Sequence, residues 1–183
     1  MRRQPREIEL KFQLEPESVS ALLHHPALKT AKKPADVEEQ ASTYFDTDRL
    51  DLKKADILLR VRRTGKKRIQ TVKLGNGTGL FARGEWERII TSDEPDFSAA
   101  KHTPLSRVLD SKVRRRLRPV FQTLIQRRRY RLMENGSSIE AAVDQGQVTT
   151  NAGSLPLCEL ELELKQGRVK DLFRAARNIG RSI

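Results

Sequence analysis

Glu7, Glu9 and Lys11 stand at alternate positions in the run Glu-Ile-Glu-Leu-Lys-Phe, with Ile8, Leu10 and Phe12 between them. In a β-strand, alternate side chains point to opposite faces. One face of this segment is therefore acid, acid, base, and the other is apolar. The device returns near the end of the chain, where Glu159, Glu161, Glu163 and Lys165 alternate with Cys158, Leu160, Leu162 and Leu164. Asp144 closes a third candidate strand, Glu-Ala-Ala-Val-Asp. Adjacent strands lie about 4.8 Å apart, so carboxylates on neighbouring strands can converge on one ion. Clustered oxygen ligands without His or Cys suit a hard cation, Mg²⁺ or Mn²⁺, rather than zinc. Without a cation, facing carboxylates repel and raise each other's pKa. A lone Glu-x-Glu is more simply a solvated, ion-paired strand face; two such runs, each ending in Lys, favour a site.

The basic residues follow the same alternation. Arg60 and Arg62 share a face in Leu-Arg-Val-Arg, Lys73 follows in Gln-Thr-Val-Lys, and Arg127 and Arg129 share a face further on. Arg presents a planar fork to phosphate oxygens, and Lys a compact charge. A row of them opposite a carboxylate–metal cluster would clamp a linear polyphosphate. Glu85 and Glu87 repeat the alternation around Trp86 and are placed to hold those basic side chains. Arg128 and Arg131 are expected at the surface, Trp86 in packing, and His24, His25 and His102 take no role.

Elements that position these residues follow from the patterning. Period-2 runs predict eight strands, near 6–14, 38–45, 57–63, 68–74, 84–91, 120–133, 138–148 and 155–165. Arg63-Thr64-Gly65-Lys66, Glu134-Asn135-Gly136 and Asn151-Ala152-Gly153 are turn signals. Gly75–Gly79 reads as a flexible loop without the ending of a nucleotide-binding loop. Three helices are expected. Pro16 opens one carrying Val19, Leu22 and Leu23. Pro104 opens a second, with Leu105, Val108, Leu109, Val113 and Leu117 on one face and Lys112, Arg114, Arg115 and Arg118 on the other. The third begins near Arg168 and groups Val169, Leu172, Phe173 and Ala176. Eight consecutive antiparallel strands suggest a closed barrel, just wide enough for side chains or one small ligand. Charged faces turned inward would leave the apolar faces outside, to be covered by helices.

Composition sets the frame. With 183 residues the chain has room for one domain with a real core. No stretch is long and apolar enough for a membrane helix, and no apolar region follows the basic N-terminus, so neither a membrane span nor a secretory leader is expected. A single cysteine, Cys158, excludes an intrachain disulfide, fits a reducing cytoplasm, and reads as a semi-buried small residue. The net charge is +12, from 36 basic and 24 acidic residues. From Lys101 to Arg131 eleven Lys/Arg face one acid, Asp110. Such a block suggests an anionic partner, or simply a soluble surface. Only 5% of residues are aromatic, so stacking platforms for nucleic acid are scarce.

The ordered set of motifs resembles the CYTH domains, or triphosphate tunnel metalloenzymes. It runs through Glu7-Ile8-Glu9-Leu10-Lys11, Thr43-Tyr44-Phe45-Asp46-Thr47, Leu59-Arg60-Val61-Arg62, Thr71-Val72-Lys73, Glu85-Trp86-Glu87, Arg127, Asp144 and the closing Glu-Leu-Glu-Leu-Glu. The resemblance implies an α+β, mainly β fold: an eight-stranded antiparallel tunnel with helices packed outside, spanning 1–183 as a single domain. It implies Mg²⁺ or Mn²⁺ on Glu7, Glu9, Asp144, Glu159 and Glu161, with Glu163 added and the register of the last pair open. It implies triphosphate on Lys11, Arg60, Arg62, Lys73, Arg127, Arg129 and Lys165, with Lys11, Arg60 and Arg62 catalytic. The wording of the Cys158–Leu164 run and the Arg-Asn-Ile end looks closest to bacterial inorganic triphosphatases of this group. The expected reaction is hydrolysis of inorganic triphosphate to diphosphate and phosphate in the cytoplasm. Alternatives are a class IV adenylate cyclase, a thiamine or nucleoside triphosphatase, or a non-catalytic polyphosphate- or RNA-binding module. Several similar proteins carry a helical CHAD domain downstream, so the chain is either complete or part of a longer CYTH–CHAD protein.

Overall fold

The computed structural model describes residues 6–31, 37–79 and 82–181, and side chains from residue 8 onward except those of 76–79, 82 and 83. The eight strands are β1 Arg6–Gln13, β2 Glu38–Asp46, β3 Ile57–Thr64, β4 Lys67–Gly79, β5 Ala82–Ile90, β6 Arg118–Glu134, β7 Ser137–Thr150 and β8 Gly153–Gln166. The helices are α1 Ser18–Leu23, α2 Pro26–Lys29, α3 Asp51–Lys54, α4 Ser111–Arg116 and α5 Val169–Gly180, with a 3-10 turn at Pro104–Arg107. The strand order, β1-β5-β4-β3-β2-β6-β7-β8, is that of a closed barrel. The chain divides into two compact units, one built mainly on Gln40–Leu124 and the other on Ile8–Glu39, Ile125–Gln147 and Leu155–Ile183.

In the first unit, β3 pairs antiparallel with β2 and β4, and β4 with β5. Ile57, Leu59 and Val61 on one face of β3 enter a buried cluster with Phe45, Val72, Ile90, Leu52 of α3 and Leu105 of the 3-10 turn. Burying each such side chain is worth about 1.5–3 kcal/mol. Helical elements thus cover the apolar face, and Arg60 and Arg62 take the other. The Thr43–Thr47 motif is structural at its end. The Asp46 carboxylate accepts from the backbone N–H groups of Thr47, Leu52 and Lys53, at 2.7, 2.9 and 3.0 Å. It thereby satisfies the start of α3, a helix absent from the sequence reading. Trp86 packs against the same cluster. A Cβ at Gly84 would lie 2.6 Å from the Trp86 ring, so a side chain there would have to push the ring aside.

Two expectations fail here. The long amphipathic helix after Pro104 is broken: the 3-10 turn ends at Arg107, and α4 starts afresh at Ser111. Asp110 has extended backbone and accepts from the Val113 N–H, which makes it a new N-cap. Its carboxyl is held below the usual range by that hydrogen bond. The run at Gly75–Gly79 is no free loop but the end of β4, with a register shift between Leu74 and Gly79. There the Gly75 N–H donates to the Asp56 carbonyl at 2.6 Å.

In the second unit, β1 pairs antiparallel with β8. Leu10 faces Leu162 and Phe12 faces Leu160 across that pair, and Leu160, Leu162, Ile139 and Leu172 are fully buried. The Asn135-Gly136 turn joins β6 to β7 with positive φ at both residues. Helix α5 buries Leu172, Ala175 and Ile179 with Asp171. Val169 and Phe173, expected on that stripe, are 41% and 38% exposed; the buried line is rotated by one position. Asp171 explains the rotation. It accepts from Ser137 Oγ at 2.7 Å, Arg168 Nε at 3.0 Å and Asn135 Nδ2 at 3.4 Å, and so pins the start of α5. The Ser137 hydrogen bond leads in holding its pKa down, to about 2. Gly167, at φ +114°, approaches so close that a Cβ would meet Ser137 Oγ at 2.2 Å. Among the described residues no helix is long and apolar enough to cross a membrane.

Candidate active site

The carboxylate cluster lies in the second unit. Asp144, Glu159 and Glu161 each present an oxygen within 4.8 Å of the other two. The β1–β8 register places Lys11 opposite Glu161, Glu9 opposite Glu163 and Gln13 opposite Glu159, all on one face. Lys11 and Arg127 both hold the cluster. Lys11 Nζ sits 2.8 Å from both Glu159 Oε2 and Glu161 Oε1. Arg127 donates from Nε to Asp144 Oδ1 at 2.7 Å, and from Nη2 to Asp144 Oδ2 at 2.5 Å and Glu161 Oε2 at 2.6 Å. Burial by itself would lower the pKa of Lys11 and Arg127. The adjacent carboxylates outweigh it, so both stay above their ordinary values and fully charged. The two differ in freedom: the Lys11 side chain is 46% exposed, the Arg127 side chain 10%. An all-oxygen set of this size fits a hard divalent cation, Mg²⁺ or Mn²⁺.

The other residues expected at the metal sit differently. The Glu7 side chain lies outside the described residues. Glu163 pairs with Lys165, which also reaches Glu140 at 3.8 Å. Arg129 pairs with Glu38 and lies 3.5 Å from Glu140. Arg129, Lys165, Glu38, Glu140 and Glu163 thus form a second charged network, with two acids that sequence reading passed over.

The basic cluster lies in the first unit and is laid out in rungs. Tyr44, Arg60, Thr71 and Glu87 are in register across β2, β3, β4 and β5; Leu58, Lys73 and Glu85 form the next rung, and Ser42 faces Arg62. Arg60 Nη2 donates to Thr71 Oγ1 at 3.1 Å and lies 3.9 Å from Glu85 and 4.0 Å from Glu87. Lys73 Nζ is 3.3 Å from Glu85 Oε1. Arg62 Nε donates to Ser42 Oγ at 3.1 Å. Thr71 entered the sequence reading only as part of the Thr-Val-Lys motif, without a role, and Ser42 not at all, because small hydroxyls in strands carry no signal of their own. Beside Lys73 a cavity of about 500 Å³ is lined by Tyr44, Leu58 and Phe121 among others. The Tyr44 and Phe121 rings stack with centroids 4.2 Å apart and planes at 15°. His25, without a site role, accepts from the Ala27 N–H and caps α2. Cys158 is half-buried, and burial pushes its thiol pKa up.

An eight-stranded antiparallel sheet in barrel order, with a carboxylate cluster held by Lys and Arg and a basic cluster held by Glu, defines a class of protein. The chain belongs to the CYTH domain family, whose model matches residues 5–182. It is 31% identical over 176 residues to an inorganic triphosphatase of Haemophilus influenzae, a match covering 91% of this chain and 47% of that protein. The chain therefore spans about half the length of that relative. Two solved structures share the fold. One, from Bacillus halodurans, is described as a candidate adenylate cyclase (TM-score 0.62, 18% identity, 95% of this chain and 89% of that one). The other, from Hippeastrum, is described as a candidate adenylyl cyclase with a dominant triphosphatase activity (TM-score 0.60, 18% identity, 96% and 87%).

Proposed function

We propose that this chain hydrolyses inorganic triphosphate to diphosphate and phosphate, with Mg²⁺ or Mn²⁺. The observation that carries the reading is the convergence of Asp144, Glu159 and Glu161 within 4.8 Å on one strand face shared with Lys11 and Arg127. The name of the Haemophilus influenzae relative supports the choice of substrate. Asp144, Glu159 and Glu161 would hold the metal, joined by Glu9 and Glu7, which the resemblance assigns. When bound, the metal would neutralise phosphate charge and favour ionisation of water. Arg60, Arg62 and Lys73 bind the phosphate chain through forked and point charges. Arg127 orients Asp144 and Glu161 through its three hydrogen bonds. Lys11 exchanges its contacts with Glu159 and Glu161 for a phosphate oxygen. Water then adds in line to the terminal phosphorus, the bridging P–O bond breaks, diphosphate leaves with that oxygen, and the water's proton passes to solvent. A cytoplasmic setting suits this chemistry and the single thiol.

One observation favours a second substrate class. The cavity beside Lys73, with its stacked Tyr44 and Phe121 rings, could take a flat aromatic group carried by a triphosphate, as in ATP or thiamine triphosphate. Turnover of triphosphate, ATP and thiamine triphosphate measured side by side separates the readings. Fastest turnover of inorganic triphosphate supports the first. Preference for either organic triphosphate, or formation of cyclic AMP, overturns it.

A further inference from the structure

We infer that Thr71 is a positioning residue for the substrate, holding Arg60 in its phosphate-binding pose by keeping it off Glu87. Its hydroxyl sits midway on a three-strand rung. It accepts from Arg60 Nη2 at 3.1 Å and donates to Glu87 Oε1 at 3.2 Å. A hydroxyl has one proton to give, so giving it to Glu87 leaves only lone pairs for Arg60. The two hydrogen bonds are thus mutually consistent and fix the direction of the relay. Thr71 is wholly buried, so no water competes for its oxygen.

Geometry shows what the hydroxyl prevents. Arg60 Nη2 lies 4.0 Å from Glu87 Oε1 and 3.9 Å from Glu85 Oε1, at the outer limit of an ion pair. About an ångström of closure toward either acid would make direct, charge-assisted hydrogen bonds. Thr71 occupies the Glu87 oxygen and tethers the guanidinium short of that closure. Meanwhile Arg60 Nε is buried with no hydrogen-bond partner among the described residues. A buried donor left unpaired costs about 1–3 kcal/mol. An incoming phosphate oxygen would supply the missing acceptor, and Arg60 remains ready for it only while it is not folded onto Glu87.

This inference rests on the triphosphate reading above. It is tested by isothermal titration of triphosphate into the full chain without divalent metal, so that no turnover intervenes, with melting temperatures measured alongside. Thr71→Val keeps shape and strand preference but removes the hydroxyl. Thr71→Ser keeps the hydroxyl. The expected result is a Kd raised about tenfold in Thr71→Val at an unchanged melting temperature, and a Kd within about twofold of wild type in Thr71→Ser. Thr71→Val with Glu87→Gln should regain most of the lost affinity, because the competing carboxylate is gone. Wild-type affinity in Thr71→Val, or equal losses in Thr71→Val and Thr71→Ser, would overturn the role and leave Thr71 as packing. Arg60→Ala in the same titration keeps the two failures apart: if it too binds triphosphate like wild type, the triphosphate reading itself is at fault.

Discussion

Lys11 and Arg127 perform the same electrostatic task with different freedom, and that difference has consequences. Both neutralise carboxylates that would otherwise repel one another. Arg127 is buried in a three-bond clasp with Asp144 and Glu161, whereas Lys11 reaches Glu159 and Glu161 from a half-exposed position. A divalent cation on Glu159 and Glu161 would have to displace Lys11 from the same oxygens. Lys11→Met is therefore expected to tighten Mn²⁺ binding about tenfold without triphosphate, while weakening triphosphate binding to the metal-loaded protein. Mn²⁺ titration followed by electron paramagnetic resonance checks the first half. Unchanged or weaker Mn²⁺ binding would show that Lys11 does not compete for these oxygens. At this scale the sequence was informative where charge alternated: the Glu and Arg faces of β1, β3 and β8 could be read directly. It assigned no role to Thr71 or Ser42, whose importance comes only from register. It was also silent on Glu38 and Glu140, which gain partners through folding rather than through any local motif.

Elements were legible where periodicity was strong. Seven of the eight strands fall within two residues of their expected places, because alternation over a long run has no competing reading, while β4 runs on through the glycine-rich stretch to Gly79. Breaks in helices were not legible. Asp110 stood out in the sequence only as the one acid of a basic block, yet its capping hydrogen bond to Val113 starts a new helix. Likewise the stripe of α5 is set by Asp171, a buried acid that no hydrophobic pattern could place. Its depressed pKa gives a test with a definite sign. Asp171 binds a proton more readily unfolded than folded, so its contribution to stability is present above about pH 4 and is lost as pH falls toward 2. Thermal melts of the wild type between pH 5 and 2 should show a loss with that midpoint range. Asp171→Asn should be less stable at neutral pH and show a shallower loss across the same window. Parallel curves for the two proteins would assign the acid sensitivity elsewhere.

For the whole molecule, the barrel order and the +12 charge carry separate arguments. Strand count and turn spacing were enough to suggest a barrel, because eight consecutive antiparallel strands leave few other ways to dispose of two edges. The distribution of charge was less readable. The basic block from Lys101 to Arg131 parts on folding: Arg127 and Arg129 enter ion pairs, while Lys112, Arg114, Arg115 and Arg116 stay exposed on α4. Arg114 lies over the Phe97 ring at 5.3 Å, and the rest add to the positive field at that surface. Replacing Arg114, Arg115 and Arg116 by Gln is expected to lower kcat/KM for triphosphate about three- to tenfold at low ionic strength, with the difference vanishing near 0.5 M salt. An equal rate at low salt would remove α4 from the account of substrate capture. The central claim is the metal-dependent hydrolysis of triphosphate at the carboxylate cluster. It is met most directly by phosphate release from inorganic triphosphate with Mg²⁺ or Mn²⁺, wild type beside Glu161→Gln, the residue that touches both Lys11 and Arg127. Cation-dependent release that falls about a hundredfold or more in a folded Glu161→Gln is the expected result. Release that persists at the wild-type rate in that variant, or that needs no divalent cation, would contradict it.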